Sequence, residues 1–248
     1  DAIESRGLGD VYKRQGKTRL SIQVGEQMVE AFSNGVWFVS LVGIQDDGED
    51  TIQDKLITTI ANALGMQFRG QEAADTQLFR YLSHKQLLLI LDNFEHILSG
   101  SEFVYTLLQK SKRLKILCTS REPLQFQGEY VLNIQGLSTP SLTPLGRVPM
   151  AYTLSELWQA YPSLQLFVAS AERATLNQPE LTEDALSTIS LICRWVGGNP
   201  LGSELAASWL RHLTLDELWA GLQESHHFLE THMRDVPYRH RSMHRVFI

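Results

Sequence analysis

Two cysteines in 248 residues are too few to staple a fold. Both sit in apolar surroundings, Cys118 in KILCTS and Cys193 in LICRWV. They read as small buried hydrophobes of a reducing compartment rather than as a disulfide or a metal pair. Long hydrophobic runs are also missing. No stretch approaches the ~18 apolar residues that cross a bilayer, and no apolar signal core stands near the start. Positive charge is in deficit, with a net charge of −6. A chain that grips nucleic acid usually carries a basic face, so direct nucleic-acid contact from this segment is not expected. These absences point to a cytoplasmic chain with no membrane partner. The hydrophobic content of 43% is ordinary for a globular protein, and the length allows one large core or two modest ones.

What is present centres on Gln86–His96, QLLLILDNFEH. Leu87 to Leu91 run without a polar break into Asp92. That is the pattern of a strand buried on both faces of a parallel sheet, with its acid at the exposed carboxyl end. Open α/β sheets bind ligands at that end. An aspartate there can hold a divalent cation, directly or through water, provided phosphates stand beside it. Gly16-Lys17-Thr18, far upstream, supplies part of a phosphate cradle. Unpaired N–H groups and the helix dipole favour anions at a helix start. Lys17 would pair with the β- and γ-phosphates, and the Thr18 hydroxyl would ligate magnesium. Asp92 is the acid such loops pair with for the metal; its plainer alternative is a helix N-cap after a core strand. Arg121 ends the strand-like ILCTSR, from which its planar fork could reach the γ-phosphate. The plainer alternative there is an ion pair with Glu122 or Glu95. Asn93, directly after Asp92, cannot accept a proton from water. Glu95 could polarise water in its place, although an acid favoured by the dipole at a helix start explains it equally well. Slow hydrolysis is therefore the expectation.

The first fifteen residues, DAIESRGLGDVYKRQ, show no apolar periodicity. A complete phosphate loop, G-x-x-x-x-G-K-[ST], needs glycine where Val11 stands. Gly7 and Gly9 are out of register, and Lys13-Arg14-Gln15 displace small residues. Residues 1–15 read as a foreign leader over a lost first strand, a divergent working loop being the alternative. From Lys17 to about Phe32 the spacing predicts a helix with Leu20, Val24, Met28 and Phe32 on one face. A strand over 36–42 follows, then an acidic loop from Asp46 to Asp50. Ile52, Leu56, Ile60 and Leu64 mark a helix stopped at Gly65, and another spans 73–82. A helix from just after Asp92 to about Lys110, a strand over 114–119 and a short strand Tyr130–Ile134 complete the pattern. Strands alternating with helices predict a three-layer, mostly parallel α/β domain over 16–135.

Residues 136–150 carry three prolines and read as a linker. A helical domain is predicted over 151–233. One of its helices carries Leu164, Phe167, Ala171 and Ala174. The next carries Leu186, Ile189, Cys193 and Val196, with Thr182 as N-cap and Gly197-Gly198 as the stop. A third runs from Leu201 to Leu213, with Pro200 as a helix-start proline by composition. Thr214-Leu215-Asp216-Glu217 is a capping box opening a fourth. Trp158, Trp195, Trp209 and Trp219 read as core anchors. His226, His227, His232, His240 and His244 match no zinc spacing and read as a solvated surface.

In combination these motifs resemble the STAND class of P-loop nucleotide switches, the NB-ARC-like ATPases of bacterial signalling and transcription-regulating proteins. GKTRL is similar to the tail of their Walker A motif and LLLILDNFEH to their Walker B. KILCTSREPL resembles the strand carrying their sensor arginine, GGNPLGSELAA their GLPLA motif, and RDVPYRHRSMHRVF, within 234–248, the opening of their winged-helix domain. The resemblance implies a P-loop NTPase sheet, a small all-α domain and the start of a winged helix. It further implies ATP/ADP with Mg2+ as cofactors. Gly16, Lys17, Thr18 and Arg19 would bind the nucleotide, and Pro200 would pack near the adenine. Thr18 and Asp92 would hold magnesium, and Asp92, Glu95 and Arg121 would form the hydrolytic set, Arg121 sensing the γ-phosphate. Family members switch between a closed ADP form and an open ATP form that assembles with copies of itself, under covalently linked sensor and effector domains. Two departures stand out: the loop glycines are missing, and Gly202 stands where alanine is usual. A scaffold that keeps the fold without binding nucleotide is the competing expectation.

Overall fold

The computed structural model describes residues 16–44, 51–143, 154–175 and 181–224. They fall into two compact units, one over Lys17–Asn133 and one formed by Gly16 with the described residues from Ile134 onward.

Three parallel strands organise the first unit: β1 (Val36–Ser40), β2 (Leu88–Asp92) and β3 (Lys115–Cys118). They lie in that order, with Val39 opposite Leu91 and Leu91 opposite Cys118. All five residues of β2 are buried, as a central parallel strand requires. Helices α2 (Ile52–Ala63) and α3 (Ala74–Ser83) join β1 to β2, and α4 (Ser101–Lys110) joins β2 to β3. Leu56, Ile60, Leu78, Leu82, Val104 and Leu107 form one core with Val39, Leu89 and Leu91. The start of α2 follows from Thr51, whose hydroxyl accepts the Asp54 N–H. Its end falls at Gly65, whose φ of +67 suits a residue without a side chain.

Four details depart from the sequence pattern. Helix α1 is α-helical over Lys17–Met28 and continues only as a 3₁₀ turn over Val29–Ala31. Its buried residues are Ser21 and Gly25, while Leu20 (43% exposed) and Met28 (38%) face outward. A Cβ on Gly25 would fall 2.7 Å from Ile90 Cδ1, so close approach of the helix to the sheet, not side-chain size, selects its inner face. The chain after Asp92 forms two 3₁₀ turns, Phe94–His96 and Leu98–Gly100, before α4 begins. The left-handed backbone of Asn93 (φ +70) prevents a helix from starting there. Tyr130–Ile134 is not a strand: Tyr130 is 99% exposed, and the segment pairs with none of the three strands of the sheet.

The second unit contains α5 (Leu154–Ala160), α6 (Pro162–Thr175), α7 (Glu183–Trp195), α8 (Pro200–Ser208) and α9 (Leu215–Glu224). Leu164, Phe167, Leu186, Ile189, Cys193, Val196, Leu218 and Leu222 share its core. Trp158, Trp195, Trp209 and Trp219 pack against this core while only partly buried. The predicted stops and caps are in place. Thr182 accepts the Ala185 N–H at 3.2 Å. Thr214 and Glu217 bond each other's backbone N–H at 2.8 and 3.3 Å. Gly197 and Gly198 both have positive φ. The Leu201–Leu213 helix is shorter than its pattern, ending at Ser208 with a 3₁₀ turn over Trp209–Arg211. The segment read as a linker is tied down at its start. Leu137 N–H donates to Gly198 O at 2.8 Å, and Arg194 Nη1 donates to Pro140 O at 3.3 Å. A Cβ on Gly136 would collide with the Gly197 carbonyl, and one on Gly198 with the Leu137 carbonyl. The acidic loop at 46–50, the histidines from His226 onward and residues 234–248 lie outside the described residues.

Candidate functional site

Parallel pairing brings the carboxyl ends of β2 and β3 side by side, and α1 begins next to them. Gly16, at φ +85, turns the chain into α1, so Lys17 and Thr18 occupy its first turn. That turn holds no acidic residue that would compete for its N–H groups. Thr18 Oγ1 donates to Asp92 Oδ1 at 2.7 Å across 74 residues of sequence. Thr119 Oγ1 donates to the same oxygen at 2.6 Å and accepts the Asn93 N–H at 2.9 Å. Asp92 is only 6% exposed, and its Oδ1 serves two hydroxyls rather than a helix-start N–H. The N-cap reading of Asp92 therefore does not describe what this carboxylate does.

Charge gathers around this network. Arg121 Nε lies 3.3 Å from Glu95 Oε1, and both side chains are largely covered. The Lys17 ammonium stands in the field of Glu95, Arg121 and Asp92. Burial pulls its pKa down; Glu95 and Asp92 work against that shift, and Arg121 adds to it. A desolvated ammonium gains from an anion, and phosphate is the anion a helix start accommodates. The hydroxyl and carboxylate oxygens of Thr18 and Asp92 are hard donors of the kind magnesium takes.

Lys17, Thr18, Asp92, Glu95 and Arg121 thus meet at one end of the sheet. Arg19 lies one position further along α1 and is exposed. Pro200 belongs to the helical unit, where it is the first residue of α8 behind an Asn199 cap. The plainer alternative for Arg121, an ion pair with Glu95, is present in the structure. One residue of the network, Thr119, was not singled out by motif. The available signal was register: if Leu91 faces Cys118, the next pair across the two parallel strands is Asp92 and Thr119. An open groove of about 540 Å³ at the opposite ends of the strands is lined by Ser83, His84, Lys110, Lys112 and Arg113. Cations there complement the C-terminal dipoles of α3 and α4.

No family model matches the chain. It is 30% identical over 211 residues to "Uncharacterized protein Rv0894" of Mycobacterium tuberculosis (strain ATCC 25618 / H37Rv), across 84% of this chain and 47% of that protein. It is 28% identical over 231 residues to "Putative HTH-type transcriptional regulator Rv0890c" of the same strain, across 92% of this chain and 23% of that protein. A Mycobacterium bovis protein of the same description, Mb0914c, matches over the same lengths. The chain spans about half the length of the first of these relatives and about a quarter of the others. Its similarity therefore reaches proteins named as transcriptional regulators.

Proposed function

We propose that the chain is the ATP/ADP-binding switch module of a larger regulatory protein, built on a P-loop NTPase sheet. Similarity to proteins named as transcriptional regulators supports the regulatory half of this reading. The nucleotide half rests on one observation, the bond from Thr18 in the first turn of α1 to Asp92 at the end of β2. That bond holds a hydroxyl and a carboxylate where a magnesium ion could use both, beside an ammonium that burial partly desolvates. Thr18 and Asp92 would hold the ion, which when bound would neutralise phosphate charge. Lys17 would take the β- and γ-phosphates, and Arg121 would exchange its bond to Glu95 for the γ-phosphate. With Asn93 in the position after Asp92, Glu95 would be left to orient water, which suits a slow timer better than a motor. Nucleotide state would then govern assembly with further copies and with covalently linked domains.

Isothermal calorimetry of magnesium-ADP and magnesium-ATP tests this on the chain as given and on a version whose residues 1–15 are replaced by an apolar strand and G-x-x-x-x-G-K-T. Micromolar binding by the repaired chain, lost on Lys17→Ala, is expected. Absence of binding by both versions would leave the non-enzymatic scaffold as the better reading.

A further inference from the structure

The carboxylate at the centre of the site is bonded by Thr119, a residue of the KILCTSREPL stretch to which the sequence alone assigned no role. We infer that Thr119 is the positioning residue of the metal-binding pair, fixing Asp92 and, through it, Thr18. The inference rests on the nucleotide reading and concerns how that site is preorganised.

Thr119 binds four consecutive residues at the end of β2. Its N–H donates to Leu91 O at 3.0 Å, and its carbonyl accepts the Phe94 N–H at 2.9 Å. Its hydroxyl accepts the Asn93 N–H at 2.9 Å and donates to Asp92 Oδ1 at 2.6 Å. The direction of these bonds matters. A backbone N–H can only donate, so Asn93 claims a lone pair on Thr119 Oγ1 and leaves its hydrogen for Asp92. Asp92 Oδ1 then accepts from both Thr119 and Thr18. With its hydrogen committed to Asp92, Thr18 Oγ1 keeps its lone pairs available for a cation. Two donor paths converge on Asp92 Oδ1, one from the Asn93 N–H through the Thr119 hydroxyl and one from the Thr18 hydroxyl. Thr119 is buried, and its hydroxyl serves both the Asp92 carboxylate and the Asn93 N–H, so Thr119→Val also leaves that N–H without this partner. A valine would fill the same volume just past the end of β3 and keep the β-branched shape.

Outer partners that orient metal ligands typically change metal affinity by ~10- to 100-fold when removed. The test compares ADP affinity with and without magnesium on wild type, Thr119→Val and Thr119→Ser, with thermal unfolding of each. The expected result is a magnesium-dependent gain that falls ~10-fold or more in Thr119→Val and returns in Thr119→Ser, while ADP binding without magnesium changes little. A lower melting temperature with an unchanged magnesium gain would overturn the inference and leave Thr119 purely structural. No magnesium gain in wild type would overturn the nucleotide reading itself, and this inference with it.

Discussion

The two units treat their polar residues differently. In the helical unit the prominent hydroxyls and amides close helix ends: Thr182 caps α7, Asn199 caps α8, and Thr214 with Glu217 caps α9. Each is explained once the cap is drawn. In the sheet unit Thr51 does the same for α2, but Thr18, Asp92 and Thr119 cap nothing. They bond one another across 74 and 27 residues of sequence at the open end of a parallel sheet. Polar groups that bond across the fold rather than close a helix end are the better pointers to function, because local structure alone gives no reason to keep them.

The comparison can be sharpened by changes that act on each unit. The largest effect should come from pH, since one thiol lies in each core. Burial raises both Cys118 and Cys193 from an ordinary value of 9.0 to about 12; Glu129 adds to the shift at Cys118, while Ser203 and Ser163 oppose it at Cys193. A raised folded-state pKa means stability that is complete below pH 9.0 and lost as pH climbs toward about 12. Denaturant melts across that window should show a steep loss, flattened in a Cys118→Ala/Cys193→Ala double variant. Next in size is Gly198→Ala, confined to the helical unit. The left-handed backbone alone costs ~1–2 kcal/mol for a residue with a Cβ, and the collision with the Leu137 carbonyl adds to it. Thermal unfolding should show a drop larger than that of Thr182→Ala, which loses one cap and about 1 kcal/mol. Smallest, and opposite in sign, is Lys17→Met. It removes a cation that burial disfavours, so the melting temperature should hold or rise slightly while nucleotide binding disappears. A fall in both would mean that Lys17 is structural.

Much of this was legible in the sequence, for reasons that differ by element. The strand β2 and the caps of α7 and α9 were readable because their signals are local: an apolar run, or a hydroxyl three residues before a partner. The inner face of α1 was not, because Gly25 is selected by a contact with Ile90 that apolar periodicity does not encode. Tyr130–Ile134 has strand-like composition, but a strand also needs a neighbour, which local sequence does not supply. The start of the presumed linker is held by Gly136 and Leu137 against Gly197 and Gly198, a backbone crossing invisible to composition. Within the site, Lys17, Thr18, Asp92, Glu95 and Arg121 were found by motif and are brought together. Thr119 escaped because only strand register places it beside Asp92.

The central claim is that the open end of the sheet unit, and not merely some surface of the chain, receives a magnesium nucleotide. Hydrogen–deuterium exchange of the loop-repaired chain, with and without saturating magnesium-ADP, tests it most directly. The account predicts slower exchange at the start of α1 and in the turns after Asp92 and Thr119, with the core of α7 unchanged. Protection absent from those three segments at a nucleotide concentration where calorimetry shows saturation would contradict it.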